Sequence, residues 1–160
     1  MAKNKKKPKT NEPTILNRRA RHDYTISDTL EVGIRLLGSE VKSVRDGRVS
    51  LAEGYVKVQQ YPLRLELHSV NISEYPPAGG LQHKPGSIRQ LLAHKREIAR
   101  LAKEVETKGV TVVPLKMYFR NGFVKLEIGV GVGRAAHDKR HAIGEREARR
   151  EIQRAMSKRM

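Results

Sequence analysis

The 160-residue chain has no cysteine and no tryptophan, only 2 phenylalanines and 5 tyrosines, and about half as many acidic as basic side chains. Without cysteine there is no disulfide scaffold, thiol nucleophile, iron–sulfur cluster or cysteine-type zinc site. The simplest location for such a chain is the cytoplasm. No stretch approaches the roughly 18–20 uninterrupted apolar residues of a membrane span, so no membrane partner is expected. The basic N-terminus has no apolar run behind it and does not read as a secretory signal. With 38% hydrophobic residues, one core-bearing domain flanked by tails is the expected organisation.

Positive charge is what the chain has in excess. Lys and Arg number 33 against 17 Asp and Glu, a formal net charge of +16, which makes polyanions the first partner class to consider. The charge is uneven: +7 over residues 1–22, +4 over residues 23–132 and +5 over residues 133–160. Residues 1–14, with Lys3, Lys5, Lys6, Lys7 and Lys9, read as a flexible basic arm. Residues 15–133 read as the folded domain, and residues 134–160 as a basic tail.

Within the domain, two β-rich runs between His22 and Leu37 flank Ser27-Asp28-Thr29, which reads as a hairpin turn. Residues 38–47 read as a short helix bounded by glycines. Val56 and Val58, then Leu63, Leu65 and Leu67, mark two strands separated by Tyr61-Pro62. Residues 73–87, rich in proline and glycine, read as a long loop. A helix is predicted from Ser87, with Gln90 completing a capping box, to Gly109. Asn121-Gly122 is a type I′ hairpin signal. It pairs Phe119 with Val124, Met117 with Leu126, Leu115 with Ile128 and Val113 with Val130, placing all of these in the core. Gly129, Gly131 and Gly133 fit a strand that another stretch of chain approaches closely.

The other face of that hairpin pairs Arg120 with Phe123, Tyr118 with Lys125 and Lys116 with Glu127. An open face of this kind suits RNA, because rings stack on bases and cations meet phosphates. The alternative is that a helix or loop covers the aromatics. About six strands and one long helix imply a mainly β fold with α elements, a small antiparallel barrel of the oligonucleotide-binding (OB) type. After Gly133, Ile143, Ala148, Ile152, Met156 and Met160 form a thin apolar stripe, with Glu145 and Arg149 at i,i+4 spacing. That stripe predicts a conditional helix, ordered on a polyanionic partner.

Catalytic patterns are scarce. His137 and His141 stand at i,i+4, but Asp138 replaces the Glu of a zinc-protease motif, and Lys139 and Arg140 repel a cation in the same turn. The alternating glycines lack the spacing of a dinucleotide loop. No paired carboxylates, Ser/His arrangement or phosphate loop emerges, so neither an enzyme nor a cofactor or metal is expected.

Five segments in order resemble the SsrA-binding protein (SmpB) family: residues 17–24 (NRRARHDY), 38–45 (GSEVKSVR), 89–94 (RQLLAH), 125–129 (KLEIG) and 137–140 (HDKR). The resemblance spans about residues 15–150. It implies an OB-type barrel that grips the tRNA-like domain of transfer-messenger RNA in ribosome rescue, with a C-terminal tail that becomes helical in the empty messenger channel. Its RNA-contacting pattern matches Asn17, Arg19, His22, Glu31, Lys42, Leu92 and Lys125. Tyr118, Arg120 and Phe123 join these from the open hairpin face. Its tail motif, for accommodation on the ribosome, matches His137, Asp138, Lys139 and Arg140, to which Arg149, Arg150, Ile152 and Met156 of the following stripe are added.

The partners implied are transfer-messenger RNA, small-subunit RNA at the decoding centre and messenger channel, and a translation elongation factor indirectly through the charged RNA; a monomer is expected. Glu31 is the unexpected member, since an acid repels phosphate; it could accept from a base, orient an Arg or serve a structural ion pair. The chain departs from the family pattern at Gln90, where a basic residue is usual, and at Ala135-Ala136, where Arg134 supplies the only cation. From composition alone, a structural ribosomal protein or general RNA chaperone is the competing reading.

Overall fold

The computed structural model describes residues 11–157, and for residues 136–139 and 142 the backbone only. Lys3, Lys5, Lys6, Lys7, Lys9 and Met160 therefore lie outside the described residues. The elements run β1 (Ile15–Leu16), α1 (Arg18–Asp23), β2 (Tyr24–Ile34), α2 (Gly38–Arg45), β3 (Val49–Ser50), β4 (Tyr55–Gln59), β5 (Arg64–His68) and β6 (Asn71–Ile72). A 3-10 turn (Pro76–Leu81) follows, then β7 (Arg89–Leu92), α3 (Lys95–Val105), β8 (Val110–Arg120), β9 (Phe123–Gly133) and α4 (Ala136–Ser157).

Six antiparallel strands close a ring in the order β8-β4-β5-β7-β2-β9, with β9 bonded back to β8. This is the OB-like barrel with helices that the sequence pattern implies. Closure removes the exposed sheet edges that would invite aggregation. The interior is filled by Leu65, Leu67, Met117, Leu126 and Ile128, all fully buried. α3 lays Ile98, Leu101 and Ala102 against the barrel, in contact with β4 and β8.

Two bulges shape the long strands. The β8–β9 register follows the Asn121-Gly122 hairpin from Arg120↔Phe123 to Lys116↔Glu127, then slips, so that Pro114 faces Ile128 and Val113 faces Gly129. The expected pairs Leu115–Ile128 and Val113–Val130 are therefore not formed. One extra residue reverses the faces. Met117 points into the barrel, whereas Val113 and Leu115 pack on the other side with Ala20 of α1, Tyr24 and Ile26. A second slip lies between Ile26 and Asp28, so Ser27-Asp28-Thr29 is a bulge in one continuous strand and not a hairpin turn. The glycines of β9 allow close strand contact: a Cβ on Gly131 would sit 2.7 Å from the carbonyl oxygen of Thr25.

The helix expected from Ser87 begins at Lys95 instead. Residues 89–92 are a strand because β5 and β2 flank them, at Leu65↔Leu91 and Ile34↔Leu91. Ser87 donates its hydroxyl to Lys84 O, and the actual cap is Glu97, which accepts from the His94 N–H at 2.9 Å. The six-residue helix α1 also lies where the first strand was expected to begin.

One buried ion pair ties these parts together. Glu40 Oε2 accepts from the Leu37 N–H at 2.8 Å, capping α2, while Oε1 accepts from Arg89 Nε at 2.7 Å. The rest of the Arg89 guanidinium donates to the carbonyls of Val70, Ser87 and Pro85 at 2.8–2.9 Å and of Lys84 at 3.4 Å. Removing one partner from a buried pair costs about 3–5 kcal/mol, so Arg89→Met is expected to lose that much unfolding free energy, read as a lower urea midpoint at constant slope. The double variant Glu40→Met/Arg89→Met should not recover, because four carbonyls lose their donor. Wild-type stability in the double variant would show the pair to be dispensable.

Candidate nucleic-acid interface

Strands β8, β9 and β2 lie side by side, so their outward residues form one continuous face. Lys116, Glu127 and Glu31 make one row, and Tyr118, Lys125 and Gly33 the next. The hairpin that carries them turns at Asn121 (φ 52°) and Gly122 (φ 80°), both left-handed, as a type I′ turn requires. Lys116 Nζ pairs with Glu127 at 3.0 Å, and on the other side Arg21 of α1 reaches the same carboxylate at 3.9 Å. The face therefore extends from the hairpin to α1.

Glu31 is the centre of a clamp. Arg120 Nη1 donates to both of its oxygens, at 2.9 and 3.1 Å, and the Tyr118 hydroxyl donates to Oε2. The Tyr118 hydrogen bond, followed by the charge of Arg120, holds the Glu31 carboxyl below its ordinary value against the opposing effect of desolvation. Burial, and then the Glu31 carboxylate, push the Tyr118 phenol up to about 12. So Glu31 does not stand open to repel a phosphate. Its charge is matched by Arg120, and it fixes both a guanidinium and a ring in place.

Beyond the clamp the face becomes apolar. Phe123 is 72% exposed and Leu92 49% exposed. They border a hollow of about 260 Å³ with Lys125, Gly33 and Val41 of α2. Among the described residues no helix or loop covers Phe123, whereas Tyr118 is half-buried with its hydroxyl engaged. A ring, an aliphatic side chain and a cation around one hollow can take a stacked base and its phosphate.

The remaining barrel candidates divide. Asn17 is only 4% exposed: its amide donates to Leu51 O at 2.9 Å and Pro114 O at 2.8 Å, and its oxygen caps α1 by accepting from the Ala20 N–H. With every polar atom used inward, Asn17 positions α1 and presents nothing at the surface. Arg19 is exposed but paired with Asp23 at 3.3 Å and with Glu53. His22 Nδ1 lies 2.9 Å from Asp23. Lys42 stands apart from the clamp, its ammonium 5.3 Å from the centre of the Tyr75 ring. It borders a hollow of about 690 Å³ between α2 and residues 75–82. Tyr75 and Arg21 join this surface only in the folded chain, since Arg21 lies in a basic run where nothing in the sequence tells it from its neighbours.

In the tail, α4 is a 22-residue helix. Arg140, Arg149, Arg150, Ile152 and Met156 are exposed on it, and the side chains of His137, Asp138 and Lys139 lie outside the described residues. Glu145 and Arg149 have the spacing for an ion pair, yet they are not within 4.0 Å among the described residues. The described residues include no group of three or more potential metal ligands.

Tyr118 offers a spectroscopic handle on the clamp. In an alkaline absorbance titration, its ionisation is expected near pH 12 rather than the ordinary value of about 10. In Glu31→Gln it should shift part of the way down, since burial remains. An unshifted titration in both proteins would mean that the clamp does not form.

Comparison with known proteins adds the family. The SmpB protein model matches residues 14–158. An SsrA-binding protein of Thermobifida fusca is 47% identical over 161 residues, covering 99% of each chain. One of Lactobacillus acidophilus is 49% identical over 138 residues, covering 86% of this chain and 90% of its own. A solved chain described as "tmRNA-SmpB: a journey to the center of the bacterial ribosome" is 40% identical, with a TM-score of 0.67 over 82% of this chain and 94% of that one. With its barrel, its hairpin face and its tail all inside the matched span, this chain belongs to the SmpB family.

Proposed function

We propose that this protein is the RNA-binding adaptor of trans-translation. It binds the tRNA-like domain of transfer-messenger RNA with its barrel and delivers that RNA to the A site of stalled ribosomes. Its C-terminal tail then occupies the empty messenger channel. The observation that carries the RNA contact is the clamp beside the Phe123–Leu92 hollow: a fixed guanidinium, an exposed ring and Lys125 on one rigid sheet face. Rigid presentation matters because recognition loses less ordering entropy when the binding groups are already held. At neutral pH the clamp is intact. Because Glu31 titrates below its ordinary range, the clamp is lost only as pH falls through that lowered value.

No step in this role requires bond making by the protein, so we read it as non-catalytic and cytoplasmic, where ribosomes work. A structural ribosomal protein or general chaperone would account equally for the basic charge, but not for family membership across residues 14–158. For the tail, the support is a helix with Arg149, Arg150 and Arg154 for phosphates and with exposed Ile152 and Met156. The cations would hold it along ribosomal RNA, and the apolar residues would pack on bases or ribose.

All buried hydrophobic residues of the described chain fall between Ala20 and Val130. A protein ending at Ala136 is therefore expected to fold, to bind transfer-messenger RNA nearly as the full chain does, and to fail in peptide tagging on stalled ribosomes. Normal tagging by that protein would remove the tail from the mechanism. Lys125→Ala is expected to weaken RNA binding by about 1–3 kcal/mol and to reduce the salt slope by about one. Unchanged affinity would take the hairpin face out of the site.

A further inference from the structure

Four arginines converge where the tail leaves the body. Arg21 of α1, Arg134 just after β9, and Arg146 and Arg149 of α4 line a hollow of about 390 Å³, with Glu145 as the only acid among its described lining residues. Arg21 touches Glu127 at 3.9 Å, and Arg134 Nε donates to the Thr25 hydroxyl at 3.2 Å. Among the described residues, no carboxylate lies within 4.0 Å of Arg134, Arg146 or Arg149. The backbone of Arg134 is itself fixed, its N–H donating to Asp23 O at 2.8 Å.

Like charges gathered in this way repel one another. Among the described residues of α4, Ile143, Ile152 and Met156 are exposed rather than packed on the body, and the helix contacts the rest of the chain chiefly at α1. Guanidinium groups on facing elements are, however, the usual means of holding a phosphate, each donating two parallel N–H groups to its oxygens. The hollow is several times larger than one phosphate, with room for a phosphodiester and its flanking riboses.

We propose that this four-arginine hollow is a phosphate-binding site and that a bound phosphate docks α4 against the body. The anion cancels the repulsion between α1, the end of β9 and α4, so the tail's orientation becomes dependent on it. The ligand is a phosphate group, supplied either by an RNA backbone or as a free anion. This site is separate from the clamp on the hairpin face and from Lys42, and it does not depend on which RNA the barrel selects.

The absence of cysteine from the chain makes the test direct. In the full chain, Thr107→Cys and Ser157→Cys carry a donor and acceptor dye, and the distance distribution between them is measured in sodium chloride. Inorganic phosphate and a short single-stranded RNA are then added in separate arms at matched ionic strength. Narrowing of the distribution in either arm is the expected result, and the probe acting at the lower concentration identifies the source. Arg146→Gln/Arg149→Gln should weaken the response about tenfold. Lys57→Gln/Arg64→Gln removes the same charge from exposed positions of β4 and β5 outside the hollow and should leave the response in place. No narrowing in either arm, or equal loss in the two double variants, would overturn the proposal. Because no transfer-messenger RNA is present, failure here is distinct from failure of the adaptor role.

Discussion

The buried pair between Glu40 and Arg89 is the constraint on which the candidate interface rests. Two opposite charges almost out of water are costly unless every polar atom finds a partner. Here the carboxylate caps α2 and the guanidinium, itself on β7, gathers four carbonyls from the loop preceding β7 and the chain before β6. That fixes α2 against β7. The consequence is felt on the outside, because α2 carries Val41 toward the Phe123 hollow and Lys42 toward Tyr75, while β7 carries Leu92. A nearby buried contact reinforces the arrangement: His83 Nε2–H donates to Ile72 O at 2.9 Å, which leaves Nδ1 to accept from the Ser39 hydroxyl at 2.9 Å.

A second level of organisation comes from the bulges. A regular barrel strand has one face inside and one outside along its whole length. By slipping register at residues 26–28 and 114–116, β2 and β8 each change faces part-way. One end of β8 thereby offers Val113 and Leu115 as an apolar seat for α1, while the other end offers Tyr118 and Arg120 outward. The same two strands can then both anchor a helix and display a polar clamp. Asn17, buried at the start of α1, completes the seat through three side-chain hydrogen bonds.

Much of this was legible in the residues. β9 keeps its alternation unbroken from Val124 to Val130, so its inner face and the partner positions of Tyr118 and Arg120 follow from pattern and turn chemistry alone. Ser27 and Leu115 hid the bulges, because a single extra residue leaves composition unchanged yet flips every side chain beyond it. Residues 89–92 looked helical because Ile88, Leu91 and Leu92 suit a helical stripe; the partners that make them a strand lie more than twenty residues away in β5 and more than fifty away in β2. Glu31 drew attention only through its family resemblance. Its role as the holder of Arg120 and Tyr118 needed the fold, since 89 residues separate it from Arg120.

Net charge and specific recognition emerge as separate properties. The barrel is nearly balanced, and the excess of cations lies mostly at the two ends. Bulk charge speeds encounter with any RNA and is strongly weakened by salt, whereas a rigid face with placed groups discriminates by shape. The most direct measurement of this division is the affinity of the intact protein for the folded tRNA-like domain and for an unstructured RNA of equal length across a salt series. The account predicts that preference for the folded domain persists as salt rises. Parallel loss of both affinities, with no remaining preference, would contradict it.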